Sequence, residues 1–455
     1  MKGNSIFTKW FICSILVVGH LVGLQAQNRL TLEEGKAMAL KSNGRAMNSG
    51  LELEAARETK KELHSNYFPK VSASAFGMKA IDPILEMGLE GGNLPVYDGN
   101  PANLANPGQY AYMPDVNLGL FNQMALGMVS LQQPLYLGGR IKTGNQLAEL
   151  NVEVKERLRI LSENEVLMKT EQEFWQVIVL QEKQKTLESY LSFLDKLHSQ
   201  VQNAYENGIV IKNDLLKVSI KQQELEVNKI QLENGRKLAL MQLCQTIGLE
   251  HTPNIVLDGG LEDLTPPERY FVPHGGALEK RAEFQLLEKS VEAAKLQKKI
   301  QKANYMPSLG IGLSGYYMDQ FENGVGGAFN GLAFASLDIP ISDWWGGSHK
   351  MNELKLRESM AKNTLEENKG ILNLQMEKAW LDLNEAFDQI GLMEQMLEQT
   401  MENLRVNQNG YDNGLIQLSD LLEAQALKAS TQDKLIEAKN RYRLAITNYL
   451  QVVPR

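Results

Sequence analysis

Prolines partition this chain. None occurs between Pro134 and Pro253, and none between Pro340 and Pro454. A proline inside a helix removes a hydrogen bond and clashes with the turn before it, so each proline-free window has room for long uninterrupted helices. Both windows are rich in Leu, Glu, Lys, Gln and Ala, all good helix formers. Apolar residues recur at three- and four-residue steps: Leu187, Leu191, Leu194, Leu197 and Val201 in the first window, Leu392, Met396 and Leu404 in the second. That is the periodicity of a coiled coil or a long bundle. Each window has one strong break, Asn207-Gly208 and Asn413-Gly414. A glycine after a helix is the usual left-handed cap, so each window is expected to form two antiparallel helices joined at a turn. The first arm, from about Lys142 to Tyr205, would run about 95 Å at 1.5 Å per residue. Helices of that reach imply that something is being spanned.

The other segments alternate with period two. Pro69 to Ala80 and Pro307 to Met318 are rich in Gly and Ser, and Leu309, Ile311 and Leu313 point one way with Gly310, Gly312 and Ser314 between them. Met124 to Leu135 and Gly331 to Ile341 are two further candidates, each ending near a proline. Four strands of about ten residues have the length of tilted membrane-spanning β-strands. The stretch 81–122, rich in Gly, Pro and Asn, reads as a long surface loop.

The chain also repeats itself. Ser65-Asn-Tyr-Phe-Pro69 returns as Ala303-Asn-Tyr-Met-Pro307, 238 residues later. Gln133-Pro-Leu135 returns as Ile339-Pro-Ile341, Ala204-Tyr-Glu-Asn-Gly208 as Gly410-Tyr-Asp-Asn-Gly414, and Asp214-Leu-Leu216 as Asp420-Leu-Leu422, each at an offset of 206. Gly138-Gly139 maps on Gly346-Gly347 with a slip of two. The offset changes only across the strand region, so the first copy carries 32 extra residues there, in the loop. Each copy therefore reads helix, strand, loop, strand, long helix, turn, helix. The expected organisation is a signal peptide over 1–26, a first repeat over 27–249, a linker over 250–275 and a second repeat over 276–455. Four strands cannot close a barrel with a usable lumen, and open strand edges are not tolerated in lipid. Three chains would supply twelve strands, an even number able to close around a pore.

Composition limits the alternatives. A formal net charge of -8 disfavours a nucleic-acid binder. Mean hydropathy of -0.29 excludes a polytopic helical membrane protein but leaves a β-barrel open. Lys2 and Lys9 followed by the apolar stretch Trp10 to Leu24 and small residues near Ala26-Gln27 form a secretory signal. Cys13 falls within it, and Cys244 is expected to be a buried helix residue without a disulfide partner. His64, His198, His251, His274 and His349 show no ligand spacing, so no metal is expected. Gly310-Ile-Gly-Leu-Ser-Gly315 matches a dinucleotide fingerprint on paper, but it lies inside a strand candidate instead of opening a helix, so no cofactor is expected. Trp344-Trp345, at a strand exit, reads as part of an interfacial aromatic belt or as an ordinary buried turn aromatic. There is no nucleophile, metal or phosphate constellation of an enzyme.

With its duplicated strand-helix order, the exit motif Pro134 to Arg140 (P-x-x-x-G-G-R) and the tip motif Y-x-x-G-(x)5-D, the chain resembles the TolC-like outer-membrane efflux proteins over essentially its whole mature length. The resemblance implies a mainly α fold with membrane β: a long antiparallel coiled-coil helical barrel continuous with a trimeric 12-stranded β-barrel, four strands per chain. It implies an outer-membrane exit duct, without catalytic activity, that conducts passively. Its partners would be two more copies of itself, outer-membrane lipid, a periplasmic adaptor (membrane fusion) protein and an inner-membrane transporter. The rival reading is a periplasmic helical scaffold or adaptor that never enters a membrane, which explains the helices and leaves the strands unexplained.

Carried residue by residue, the resemblance puts an acidic ring at the periplasmic gate on Asp420 and Glu423, and gate-closing links on Tyr411 and Asp214. Gly208 and Gly414 form the helical-tip turns, where an adaptor would dock. Ile416 stands where some members carry a gating arginine, so a Tyr411-Asp214 hydrogen bond would hold more of the closure. The structural alternative for both aspartates is helix capping, since each follows a glycine turn at a helix start.

Overall fold

The computed structural model describes residues 29–82, 84–120, 123–250, 255–262, 264–273, 275–319, 321 and 326–454. The expected signal segment, Cys13, His251 and His274 lie outside them. In chain order the elements are β1 (Arg29–Thr31), α1 (Leu32–Ser42), α2 (Gly44–His64), β2 (Lys70–Lys79), β3 (Leu85–Leu89), β4 (Gly92–Pro95), β5 (Tyr110–Met113), β6 (Val116–Leu120), β7 (Gln123–Leu137), α3 (Arg140–Glu206) and α4 (Lys212–Ile247). There follow β8 (Val256–Asp258), α5 (Ala282–Asn304), β9 (Ser308–Asp319), β10 (Ala328–Asp338), α6 (Asp343–Asp412) and α7 (Leu418–Val452). Two compact units share these elements: one is Met1–Ala56, Asn151–Val291 and Met360–Arg455, the other Arg57–Leu150 and Glu292–Ser359.

The first unit is helical. The expected first arm is α3, 67 residues without interruption, and its counterpart α6 has 70. Both end in the same way. Gly208 and Gly414 take φ of 71° and 70°, and their N–H groups donate to the carbonyls of Tyr205 and Tyr411 at 2.9 Å. The next residues, Ile209 and Leu415, donate to Ala204 and Gly410 at 2.8 Å. This double bonding satisfies carbonyls that the last helical turn would otherwise leave bare. Asn207 and Asn413 each add a side-chain amide bond to a carbonyl four residues back.

Three large apolar clusters hold this unit, beside a small one of Leu53, Ala56 and Val152. One gathers Phe174, Val177 and Ile178 with Leu243, Cys244 and Ile247 of α4; Cys244 is buried and unpaired, and burial pushes its thiol pKa up. A second packs Met376 and Leu383 against Tyr442 and Tyr449. The third, at the tips, buries Leu194, Leu197, Val201 and Val218 with Leu418 and Leu421.

Two features of this unit are absent from the sequence reading. Thr31 caps α1 reciprocally with Glu34, whose carboxylate accepts the Thr31 N–H at 3.0 Å and is held below the usual range by those bonds. The residues before that cap, β1, pair in parallel with β8 in the segment expected to be an irregular linker.

The second unit is built on one antiparallel sheet of order β10-β9-β7-β2, leaving β10 and β2 as edges. Its strands are the four expected ones, with boundaries shifted by a few residues. The centre pairs the two halves of the chain, Ser130 opposite Ser314 and Leu131 opposite Leu313. The register slips between Pro134 and Tyr136, because a proline in a central strand has no N–H to give the ladder. The stretch 81–122, expected to be a loop, is in part paired: β3 with β6 and β4 with β5, both antiparallel, form two short ribbons. Their composition hides them, since Gly91 packs where a Cβ would strike the backbone of Met113 to Asp115.

Candidate functional site

The sheet has two chemically different faces. Alternate side chains of a strand project to opposite sides, and Ser72 Oγ and Ser130 Oγ, 2.8 Å apart, fix which residues share a side. With them stand Lys70, Ser74, Gln132, Ser314 and Ser336, interleaved with Phe76, Leu126, Tyr316, Leu332 and Phe334. The other side carries Val71, Ala73, Val129, Leu131, Leu309, Ile311, Leu313, Ala333, Ala335 and Leu337, with Tyr317 and Phe329 opposite one another near the hairpin-loop end. It holds no charged residue between Val71 and Gly77. An uninterrupted apolar face with aromatics at a rim suits lipid, while the first face mixes polar and apolar groups.

The glycines that resembled a nucleotide fingerprint belong to this sheet. A Cβ at Gly312 would run into the Phe334 ring, and one at Gly315 would lie 3.2 Å from Phe329. They make room for cross-strand aromatics and open no helix. At the strand exit Trp344 is exposed and donates its indole N–H to the Tyr305 carbonyl at 2.8 Å, and Trp345 is 82% exposed. Neither is a buried turn aromatic.

In the helical unit the tips bring together part of the expected gate. Buried Leu418, Leu421, Ala424 and Gln425 seat the start of α7, which leaves Asp420 and Glu423 on its exposed side. Asp420 is also a cap, accepting the Gln417 N–H at 3.3 Å. Tyr411 and Asp214 lie apart from these, in a crevice they line with Lys217, Ile416, Gln417 and Leu418. Burial, then the charge of Asp214, then that of Asp412, raise the Tyr411 phenol above its ordinary value. The expected Tyr411-Asp214 hydrogen bond does not form within the chain. Asp214 is drawn to Lys217 at 3.4 Å, one helical turn on. Asp214-x-x-Lys217 is the ordinary spacing of a helical ion pair, a signal already present in the sequence. Ile416 is half-buried, 3.3 Å from where a Gly410 Cβ would stand, so its place is taken up by apolar packing.

Residues 275–449 match the sequence profile of the family described as Outer membrane efflux protein. A comparison with curated protein sequences gives no match. In fold, the chain is similar to the outer membrane protein VceC of Vibrio cholerae (TM-score 0.70, 14% identity, covering 93% of this chain and 95% of that one). It is similar to the CmeC outer membrane channel of Campylobacter jejuni (0.73, 14%, 93% and 85%) and to the open-state MtrE outer membrane channel of Neisseria gonorrhoeae (0.71, 15%, 93% and 88%). The fold is thus shared with outer-membrane channels over 93% of this chain. With the profile match over residues 275–449, the resemblance read from the sequence extends to the fold: that stretch carries the Outer membrane efflux protein profile, and the chain folds like the outer-membrane channels named above. The family is one of channels, not of enzymes.

Proposed function

We propose that three chains close their sheets into one 12-stranded barrel, and that the helices form a matching tunnel through which substrate leaves passively, with no catalytic step. The observation that carries this is the sheet itself. It has an apolar face suited to lipid and two open edges, β10 and β2. Unpaired backbone groups cannot be left in hydrocarbon, and edge-to-edge joining of copies removes them. In this reading 27–249 and 276–455 are equivalent repeats, with 250–275 joining them. The helical tips at Gly208 and Gly414 meet a periplasmic adaptor, which links the duct to an inner-membrane transporter.

Asp420 and Glu423 then contribute six carboxylates around the axis of the trimer, favouring cations in the constriction. Tyr411 and Asp214 hold the tips closed by polar links, with Lys217 competing for Asp214 inside the chain. The test is single-channel conductance in a planar bilayer, with oligomeric mass in detergent from the same preparation. A trimer with discrete, cation-selective conductance is the expected result. A species that stays soluble without detergent and inserts nowhere would leave the periplasmic scaffold as the better account.

A further inference from the structure

The ribbon of β3 and β6 belongs to the first copy alone. It lies in the stretch 81–122, which holds the 32 extra residues of that copy. In the second copy residues 320–327 join β9 to β10, too few for such a ribbon. Leu85, Met87 and Leu89 stand opposite Leu120, Leu118 and Val116, and alternate residues of a strand share a side. One side of the ribbon is therefore made of Leu, Met and Val alone. The other carries Glu86, Gly88 and Asn117. Leu85, Met87 and Leu89 are 45%, 48% and 48% exposed, and β3 and β6 form a sheet of their own, separate from the main one. A lone two-stranded ribbon is marginal in water, and this one leaves its apolar side uncovered. Its far end is nonetheless fixed. The Gly91 N–H donates to Asp115 Oδ1 at 2.6 Å, and Gly91 lies too close to the backbone of Met113 to Asp115 for any Cβ.

In the channel reading the ribbon begins beyond the hydrocarbon. The aromatic rim of the main sheet is at Tyr317 and Phe329, level with Gly127 and Ala75. Rings of this kind sit at headgroup depth. From Ala75, β2 runs on to Lys79, about 13 Å at about 3.3 Å per residue. Lys79 and Asp319 add charge beyond the rim, and the ribbon follows. Lipid tails do not reach that level. The same ribbon in another copy does. β2 is an open edge of the sheet, the edge at which the trimer reading joins the next chain, and β3 follows it directly in sequence. Three identical apolar sides then rise from one rim, each without a cover.

We infer that Leu85, Met87, Leu89 and Val116 form a docking surface whose partner is the same surface in the other two copies, so that three ribbons join in a collar beyond the outer rim of the barrel. The inference rests on the trimeric channel reading, and it adds a contact between chains that closing the barrel does not require. Glu86 and Asn117, on the opposite side, stay in water.

Disulfide trapping in the full-length protein is the test. Met87→Cys and Glu86→Cys place a thiol on either side of β3, both at exposed positions. Cys244 is buried and does not compete. After mild oxidation of the detergent-solubilised protein, Met87→Cys should give a linked pair of chains beside a single one on a denaturing gel. Leu89→Cys, on the same side, should do likewise, and Glu86→Cys should give single chains throughout. Links on both sides of β3, or on neither, with the trimer mass retained, would overturn the collar and leave the duct standing. If the unmodified protein itself shows no trimer by mass, the duct reading fails and takes the collar with it. Lipid is the competing occupant. In vesicles of lipids brominated along their acyl chains, a fluorophore on the Met87→Cys thiol should keep its intensity. Quenching there would assign the face to the bilayer and overturn the collar.

Discussion

Tyr449 holds Val272 by both of its backbone polar groups. The phenol oxygen accepts the Val272 N–H at 3.0 Å, and its proton points to the Val272 carbonyl at 3.4 Å. The same spacing of 177 residues recurs at Tyr442, whose hydroxyl donates to the Thr265 carbonyl, and at Lys439, which meets Glu262 at 3.2 Å. The connecting segment thus runs beside α7 and is fastened at successive turns of that helix. Tyr449→Phe keeps the packing and takes the hydroxyl partner from two half-buried backbone groups, a loss of about 1 kcal/mol. Limited proteolysis should then cut within 264–273 faster than in wild type, with α7 itself still protected. Unchanged cleavage would mean that apolar burial alone holds the segment.

Glycines with left-handed backbone divide into two sets by what surrounds them. At Gly414, φ is 70° and a Cβ would meet nothing, so Gly414→Ala should cost only the backbone conformation, about 1–2 kcal/mol. At Gly248, φ is 73° and the Cβ would collide with the Ser42 side chain, which donates to the Ile247 carbonyl at 2.6 Å. Gly248→Ala should therefore lower the thermal midpoint of the helical unit clearly more than Gly414→Ala. Equal shifts would show that Ser42 moves aside freely.

Gly312 and Phe334 are opposite one another in the β9–β10 hairpin. Gly312→Ala drives a Cβ into the phenyl ring and should reduce the yield of assembled protein. Phe334→Ala in addition should restore part of it, because the crowding partner is gone. A double-mutant cycle on assembly yield tests the pairing, and additive losses would place the defect elsewhere.

Most of the architecture was written in periodicity and punctuation. The Asn-Gly turns, the proline-free arms and four alternating strands are local signals, and each corresponds to an observed element. What escaped detection depends on partners far away in the chain. Arg29–Thr31 is too short to read as a strand and becomes one only because 256–258 lies beside it. The 81–122 ribbons look like loop because short strands are set among turn formers such as Asp98-Gly99-Asn100-Pro101 and Asn106-Pro107-Gly108, and pairing decides their state. At the tips the carboxylates were legible from the tip motif, but the choice of Lys217 by Asp214 required side-chain positions.

Asp433 gives a pH prediction. Burial, followed by a partial offset from Lys183 and repulsion from Glu437, raises its carboxyl pKa, and its Oδ1 has no hydrogen-bond partner. A folded-state pKa above the unfolded one means the folded chain binds the proton more tightly. Its contribution is then full below the ordinary carboxylate range and is lost as pH rises through the raised value. Asp433→Asn should remove that loss, so the variant should melt higher than wild type at neutral pH and alike at low pH. A variant that melts lower at neutral pH would indicate that the charge itself is used.

Asp420 serves two ends that substitution can separate. Its carboxylate accepts the Gln417 N–H at 3.3 Å, which an asparagine oxygen can also do, whereas alanine cannot. Asp420→Ala should destabilise the start of α7 by about 0.5–2 kcal/mol, and Asp420→Asn by far less. Glu423 sits three residues on, exposed, and adds charge without a capping role. The double variant Asp420→Asn, Glu423→Gln therefore keeps the tip folded while removing six charges from a trimer. Cation block of conductance should weaken in it, with the trimer mass unchanged. If cation sensitivity stays at the wild-type level, the two carboxylates do not line the constriction, and Asp420 is only a cap.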